Sequence, residues 1–164
     1  MPERGDMKTQ GKSITVLTYG TFDMFHVGHV RLIQRLGEIA DRLIVGVSTD
    51  EFNLQKGKRA IFTYPYRSEI VTSLKGVDLV IPEETWEQKG EDIKRHDVDL
   101  LVMGEDWAGK FDHLATLCEV RYLPRTRNVS TTSIKAAIDR LSSVGDSDLV
   151  SAIEILEFLN RDLS

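Results

Sequence analysis

Short runs of Ile, Val and Leu alternate along the chain with longer stretches in which apolar residues recur at three- and four-residue steps. Runs of the first kind suit buried strands, and stretches of the second kind suit helices with one apolar face. Their alternation predicts an α/β domain, a parallel sheet covered by helices on both faces. Ile14–Tyr19, broken at Gly20, reads as the first strand, and Leu32, Ile33, Leu36, Ile39 and Ala40 mark a helix over Gly28–Ala40. Leu43–Val47 reads as a second strand and Ser48–Ala60 as a polar loop. Tyr66–Leu74 has helical spacing, with Pro65 suited to a first turn, and Val77–Ile81 reads as a third strand stopped by Pro82. Trp86–Arg95 reads as a charged surface helix. Leu100–Met103 and Val120–Leu123 complete five strands, with a loop and short helix between them around Gly104–Leu117. Ser130–Leu141 opens with hydroxyl residues able to cap a helix.

The tail places Leu149, Val150, Ile153, Leu156 and Leu159 on one helical stripe. The expected division is a flexible arm over 1–12, a domain over 13–141, and an amphipathic helix over 142–164. That helix packs on the domain or at a subunit contact. A length of 164 residues fits one domain at roughly 150 residues each. The 21 Lys and Arg against 26 Asp and Glu give a net charge of −5, which argues against a dedicated nucleic-acid or membrane-surface binder. Any phosphate site must be a local concentration of positive groups. Cys118 is the only cysteine, so no intrachain disulfide can form. With no signal-like or membrane-length apolar run, the expectation is a soluble cytoplasmic protein without stable membrane association.

Candidate chemistry collects where strands are predicted to end. Tyr19-Gly20-Thr21-Phe22-Asp23-Met24-Phe25-His26-Val27-Gly28-His29 joins the first strand to the first helix. In open α/β sheets this is the edge that borders the ligand crevice, and a helix start there offers free N–H groups to an anion. His26 and His29 lie three residues apart across that start, so both imidazoles can serve one oxyanion, with Gly28 permitting close approach. A zinc reading lacks ligands, since His96 and His113 are distant in sequence. Lys56-Gly57-Lys58-Arg59 follows the second strand at the same edge. Arg125-Thr126-Arg127-Asn128-Val129-Ser130-Thr131-Thr132-Ser133 repeats the strand-to-helix arrangement after the last strand. Met103-Gly104-Glu105-Asp106-Trp107 ends the fourth strand and offers a carboxylate to a ribose, a base or a metal. There is neither a Ser-His-Asp order nor a Walker-type phosphate loop.

GTFDMFHVGH and RTRNVSTTSI together resemble the signatures of the cytidylyltransferase family, within the wider HxGH nucleotidyltransferase superfamily. STDEFNLQKGK, PEETWEQK and VMGEDWAGKFD are similar to the branch whose acceptor is glycerol 3-phosphate, and the resemblance runs from about Ile14 to Ile138. It implies a Rossmann-like fold and a homodimer. It also implies transfer of CMP from CTP to glycerol 3-phosphate with magnesium or manganese as helper ion, giving CDP-glycerol for teichoic-acid synthesis. His26, His29, Lys56 and Arg125 are then the expected catalytic groups. Gly20, Thr21, Phe22, Asp23 and Gly28 are expected to line the nucleotide, with Asp23 beside the triphosphate and metal. Gly104, Asp106 and Trp107 match the nucleoside end, and Arg125, Thr126, Val129, Ser130, Thr131 and Thr132 match the second signature. Lys56, Lys58, Arg67 and Lys75 are expected to grip the acceptor.

Two departures stand out against the family pattern. Lys75 replaces an arginine and loses its two-pronged geometry, and Asn128 replaces a glycine, where asparagine tolerates a left-handed backbone. The chemistry implied is in-line attack by the acceptor phosphate on the α-phosphorus of CTP. Two alternatives stay open at this point. One is a transferase of the same superfamily with another acceptor or with ATP, for instance one making FAD, and the other is a catalytically silent nucleotide-binding module.

Overall fold

The computed structural model of the protein describes residues 13–124, 126, 130–142, 145 and 148–155. In chain order the elements are β1 (Thr15–Gly20), α1 (Val27–Ile39), β2 (Arg42–Ser48), α2 (Asp50–Gln55), α3 (Tyr64–Thr72) and β3 (Leu79–Glu83). They continue with α4 (Gln88–Arg95), β4 (Leu100–Gly104), two short 3-10 turns (Glu105–Trp107 and Asp112–Thr116), β5 (Glu119–Leu123) and α5 (Thr131–Ser142). All five strands are parallel in the order β3-β2-β1-β4-β5. This is a doubly wound Rossmann-like arrangement, in keeping with the parallel, helix-covered sheet that the apolar pattern predicts and the fold that the resemblance implies. The winding reverses between β1 and β4, so a crevice opens beyond their carboxyl ends.

Successive side chains of a strand point to opposite faces, and the core divides accordingly. Val16, Val45, Val47 and Val102 pack with Ile33 and Leu36 of α1 and Val71 of α3. Leu17, Tyr19, Ile44, Leu101 and Met103 pack with Ile93 of α4, Phe111 and Leu114 on the other face. Register at the amino edge is pinned by aspartates just ahead of three strands. Asp41 accepts the Ile14 N–H at 2.9 Å, Asp99 the Thr15 N–H at 3.0 Å and Asp78 the Leu43 N–H at 2.7 Å. Each ties its own strand to the start of its neighbour.

The structure corrects the sequence expectation at several points. Asp50–Gln55 is a helix where a loop was expected: Thr49 caps it by accepting the Phe52 N–H, and Asp50 and Glu51 suit its first turn. Pro82 lies inside β3 instead of ending it, which an edge strand tolerates because one side of its backbone needs no partner. The charged helix α4 buries Lys89 and Asp92 instead of presenting only solvated charge. The chain divides into two compact units, one reaching residue 128 and one beginning at 129, so the division falls ahead of α5. Within the second unit, residues 148–155 are helical and Leu149, Val150 and Ile153 are exposed. Leu156, Leu159, the arm over 1–12, and Arg125, Arg127, Asn128 and Val129 lie outside the described residues.

Leu36 is fully buried and holds α1 against the sheet. Leu36→Ala is expected to lower unfolding stability by about 2–5 kcal/mol in a denaturant titration, through lost burial and a residual cavity.

Candidate active site

The β1–α1 connection is built around Asp23. Its carboxylate accepts N–H bonds from Met24 (3.1 Å), Ile61 (2.9 Å) and Phe62 (3.0 Å), binding the loop after α2 to the loop after β1. Phe22 and Met24 on either side hold left-handed φ values of 53° and 48°, uncommon for such residues. The three bonds to a buried carboxylate offset that backbone cost.

Helix α1 begins with a reciprocal cap formed by its two histidines. His26 Nδ1 accepts the Gly28 N–H at 3.0 Å, while His29 Nδ1 accepts the His26 N–H at 3.3 Å. The rings stack with centroids 3.9 Å apart, and His29 also lies against Phe22 and Phe25. An Nδ1 that accepts a hydrogen bond has no proton of its own, so each neutral ring carries its N–H at Nε2. Burial lowers the pKa of both imidazoles. For His29, burial first and then the neighbouring His26 bring it down to about 4. At neutral pH the pair therefore presents two uncharged N–H donors at the positive end of a helix dipole, an arrangement suited to phosphate oxygens.

A second cluster lies at the carboxyl ends of β2 and β3, where Ser48 pairs in register with Glu83. The Lys56 ammonium donates to Ser48 Oγ at 2.8 Å, lies 3.4 Å from Glu83 Oε2 and sits 4.3 Å above the Phe52 ring. Ser48 Oγ also donates to Glu83. Lys89 pairs with the other oxygen of Glu83 and faces the rings of Tyr19, Trp86 and Phe111 at 4.4, 5.1 and 5.2 Å. Trp86 packs on Phe52 and Trp107. Tyr19 reaches this position because position 46 is glycine: a Cβ there would lie 2.1 Å from Tyr19 Cδ1. The Tyr19 hydroxyl donates to Asp92, and burial followed by that contact raises its pKa, so it remains a neutral phenol.

Several expected residues do converge on this edge. Gly20 and Thr21 end β1 and begin its connection, Gly28 lies in the first turn of α1, and Gly104 ends β4. Asp106 and Trp107 follow in a 3-10 turn, with the Lys58 ammonium 5.6 Å from the Trp107 ring. Thr126 belongs to the first unit, and Ser130, Thr131 and Thr132 belong to the second, where Ser130 and Ser133 exchange capping bonds at the start of α5. Arg125 and Val129 lie outside the described residues.

Two acceptor expectations are corrected. Arg67 is fully buried; its guanidinium donates to Phe62 O (2.8 Å), Thr21 O (2.5 Å) and Asp50 Oδ1 (2.7 Å), which makes it a strut between loops. Lys75 is exposed just ahead of β3, because α3 has carried the chain back to the amino edge, opposite the histidines. Asp23, expected beside a metal, directs its carboxylate to backbone donors. Among the described residues no group of three or more His, Cys, Asp or Glu is arranged to hold a metal ion. Sequence reasoning missed Ser48, Glu83, Trp86 and Lys89. The signal for Lys89 was its place on the apolar side of α4, beside Ile93 and one turn ahead of it.

Both clusters lie at the carboxyl edge of a doubly wound parallel sheet, where their N–H and ammonium donors are suited to anions. A cytidylyltransferase-like family model matches residues 17–137, about three quarters of the chain. The chain is 54% identical to glycerol-3-phosphate cytidylyltransferase of Bacillus subtilis (strain 168) over 123 residues, covering 75% of this chain and 95% of that protein. It is 52% identical to the protein of the same name from Staphylococcus aureus (strain NCTC 8325 / PS 47) over 120 residues, covering 73% and 91%. The crystal structure of a lipopolysaccharide core biosynthesis protein from Thermoplasma volcanium GSS1 shares the fold. Its TM-score is 0.61 at 23% identity, over 70% of this chain and 99% of that one. The chain belongs to the cytidylyltransferase-like family. Among the described residues no helix is long and apolar enough to cross a membrane.

The lowered pKa of His29 has a pH signature. Below its ordinary value of 6.5 the unfolded chain takes up a proton that the folded ring refuses until about pH 4. The stability tied to His29 is therefore complete above 6.5 and is lost as pH falls toward 4. An imidazole NMR titration should show His29 neutral at pH 5.5; a midpoint near 6.5 would contradict the buried, capped ring.

Proposed function

We propose that this protein transfers CMP from CTP to glycerol 3-phosphate, giving CDP-glycerol and pyrophosphate. The observation that carries the reading is the likeness to glycerol-3-phosphate cytidylyltransferases over nearly their whole length. The site supplies a consistent chemistry. An acceptor phosphate oxygen attacks the α-phosphorus of CTP in line, and the bond from that phosphorus to the pyrophosphate oxygen breaks. With a second pKa near 6 the acceptor phosphate is already largely ionised at neutral pH, so no strong general base is needed. The task is to bring two polyanions together and to stabilise charge as it moves to the leaving group.

In this reading the Nε2–H groups of His26 and His29 and the first turn of α1 hold the triphosphate. The base and ribose extend toward Gly104, Asp106 and Trp107. Lys56 and Lys58 receive the acceptor phosphate, with Trp86 as a wall of that half of the site. Magnesium or manganese would accompany CTP and would neutralise triphosphate charge, while the Asp23 carboxylate is engaged by backbone donors. We place the enzyme in the cytoplasm, with its product destined for teichoic-acid synthesis. We also propose a homodimer, for which Ile61, Phe62 and Tyr66 offer exposed apolar surface.

Pyrophosphate release in the presence of magnesium is expected to need both CTP and glycerol 3-phosphate. Turnover with ATP alone as the nucleotide, or only with another phosphomonoester, would replace the substrate assignment. His29→Ala should lower kcat by about 10²- to 10³-fold, the usual effect of removing one donor to a transition-state oxyanion.

A further inference from the structure

The group that the proposed reaction leaves unexplained is Glu83. A buried carboxylate in a site that must attract phosphate works against binding unless its charge is spent locally. Glu83 is 2% exposed and its two oxygens have separate partners. Oε1 pairs with Lys89, itself 1% exposed and enclosed by Tyr19, Trp86 and Phe111. Oε2 takes the Ser48 hydroxyl and faces the Lys56 ammonium at 3.4 Å. Two ammonium groups and one carboxylate leave a net charge of +1. The tighter cation is the deeper one, and the looser contact belongs to Lys56.

We propose that Glu83 is a positioning residue of the acceptor half-site: neutralised from below by Lys89, it holds the Lys56 ammonium charged and oriented toward the acceptor phosphate. This rests on the assignment of Lys56 to that phosphate. The arrangement solves a specific problem. Burial lowers the pKa of Lys56, and Lys58 and Lys89 lower it further, whereas Glu83 raises it. The charged groups that act on Lys56 are Glu83 on β3, Lys89 on α4 and Lys58 in its own loop. Of these, Glu83 is the carboxylate in direct contact. The Ser48 hydroxyl fixes one ammonium proton, the Phe52 ring supports the ammonium from beneath, and the 3.4 Å contact is long enough for a phosphate dianion to replace it.

The test compares wild type, Glu83→Gln and Ser48→Ala in steady-state assays against each substrate. Glu83→Gln should raise KM for glycerol 3-phosphate at least about tenfold while KM for CTP stays within about twofold, because only one half-site loses its orienting charge. It should also move the alkaline limb of kcat/KM for the acceptor lower by about one pH unit, an effect that a loss of packing alone would not produce. Equal changes in both KM values, or an unmoved limb, would overturn the proposal. If Glu83→Gln does not fold, Ser48→Ala decides. It keeps every charge but frees one Lys56 proton, so acceptor KM should rise severalfold with CTP KM unchanged, and an unchanged acceptor KM overturns the role. Wild-type protein inactive with CTP and glycerol 3-phosphate would sink the transfer reading instead. In that case a side-chain NMR titration of Lys56 still tests the inference: a lower pKa in Glu83→Gln than in wild type supports it, and an equal one refutes it.

Discussion

Charge buried at the carboxyl edge of the sheet is the constraint on which the site depends. Asp23, Arg67, Glu83, Lys89 and Asp92 are each within a few per cent of complete burial, and an ionised group so placed must find a partner or destabilise the fold. Their partners come from different segments. Asp23 reaches from the β1 connection to the loop after α2, Arg67 from α3 back to Thr21 and Asp50, and Lys89 from α4 to Glu83 on β3. Loops that would otherwise be independent are thus locked together by the need to satisfy charge. The two histidines and Lys56 inherit fixed positions from that lock.

The division of labour between arginine and lysine follows the same logic. Arg67 has a planar fork matched to several fixed acceptors, and it bridges two carbonyls and a carboxylate as a permanent strut. Lys56 is a compact ammonium on a flexible stem. In the proposed reaction it can keep the serine and exchange the looser carboxylate contact for a phosphate without disturbing the backbone. A residue intended to change partners during a reaction cycle is better served by the second design.

The strands were legible because buried parallel strands are continuous apolar runs and alternation with helices implies that they run parallel, whereas their order is seen only in the structure. All five were found within two residues at each end. The six-residue helix α2 was hidden because its apolar content is only Phe52 and Leu54, too little to show a period, although Thr49 with two following acidic residues was a readable start signal. The histidine pair was legible from its spacing at a strand-to-helix junction. The Arg67 expectation came from the family resemblance, whereas only tertiary packing reveals that Thr21, Phe62 and Asp50 surround it. Lys75 was misjudged for want of the winding, which sends the end of α3 to the far edge. Glu83 and Lys89 are six residues apart with no periodic relation, and their pairing exists only because β3 and α4 meet there.

In the proposed reaction, uncharged donors suit a triphosphate whose charge changes during turnover. A cationic histidine would gain strength from ground-state CTP and released pyrophosphate alike, and tight product binding slows the cycle. The neutral imidazoles of His26 and His29 carry a smaller, oriented dipole, fixed by their Nδ1 bonds to backbone N–H groups. Their pre-set direction costs no reorganisation when charge builds on the leaving oxygens, which is the condition for preferring the transition state. Burial favours the neutral form of both rings. The stacked rings that cap the helix are therefore also what makes the donors insensitive to modest changes of pH.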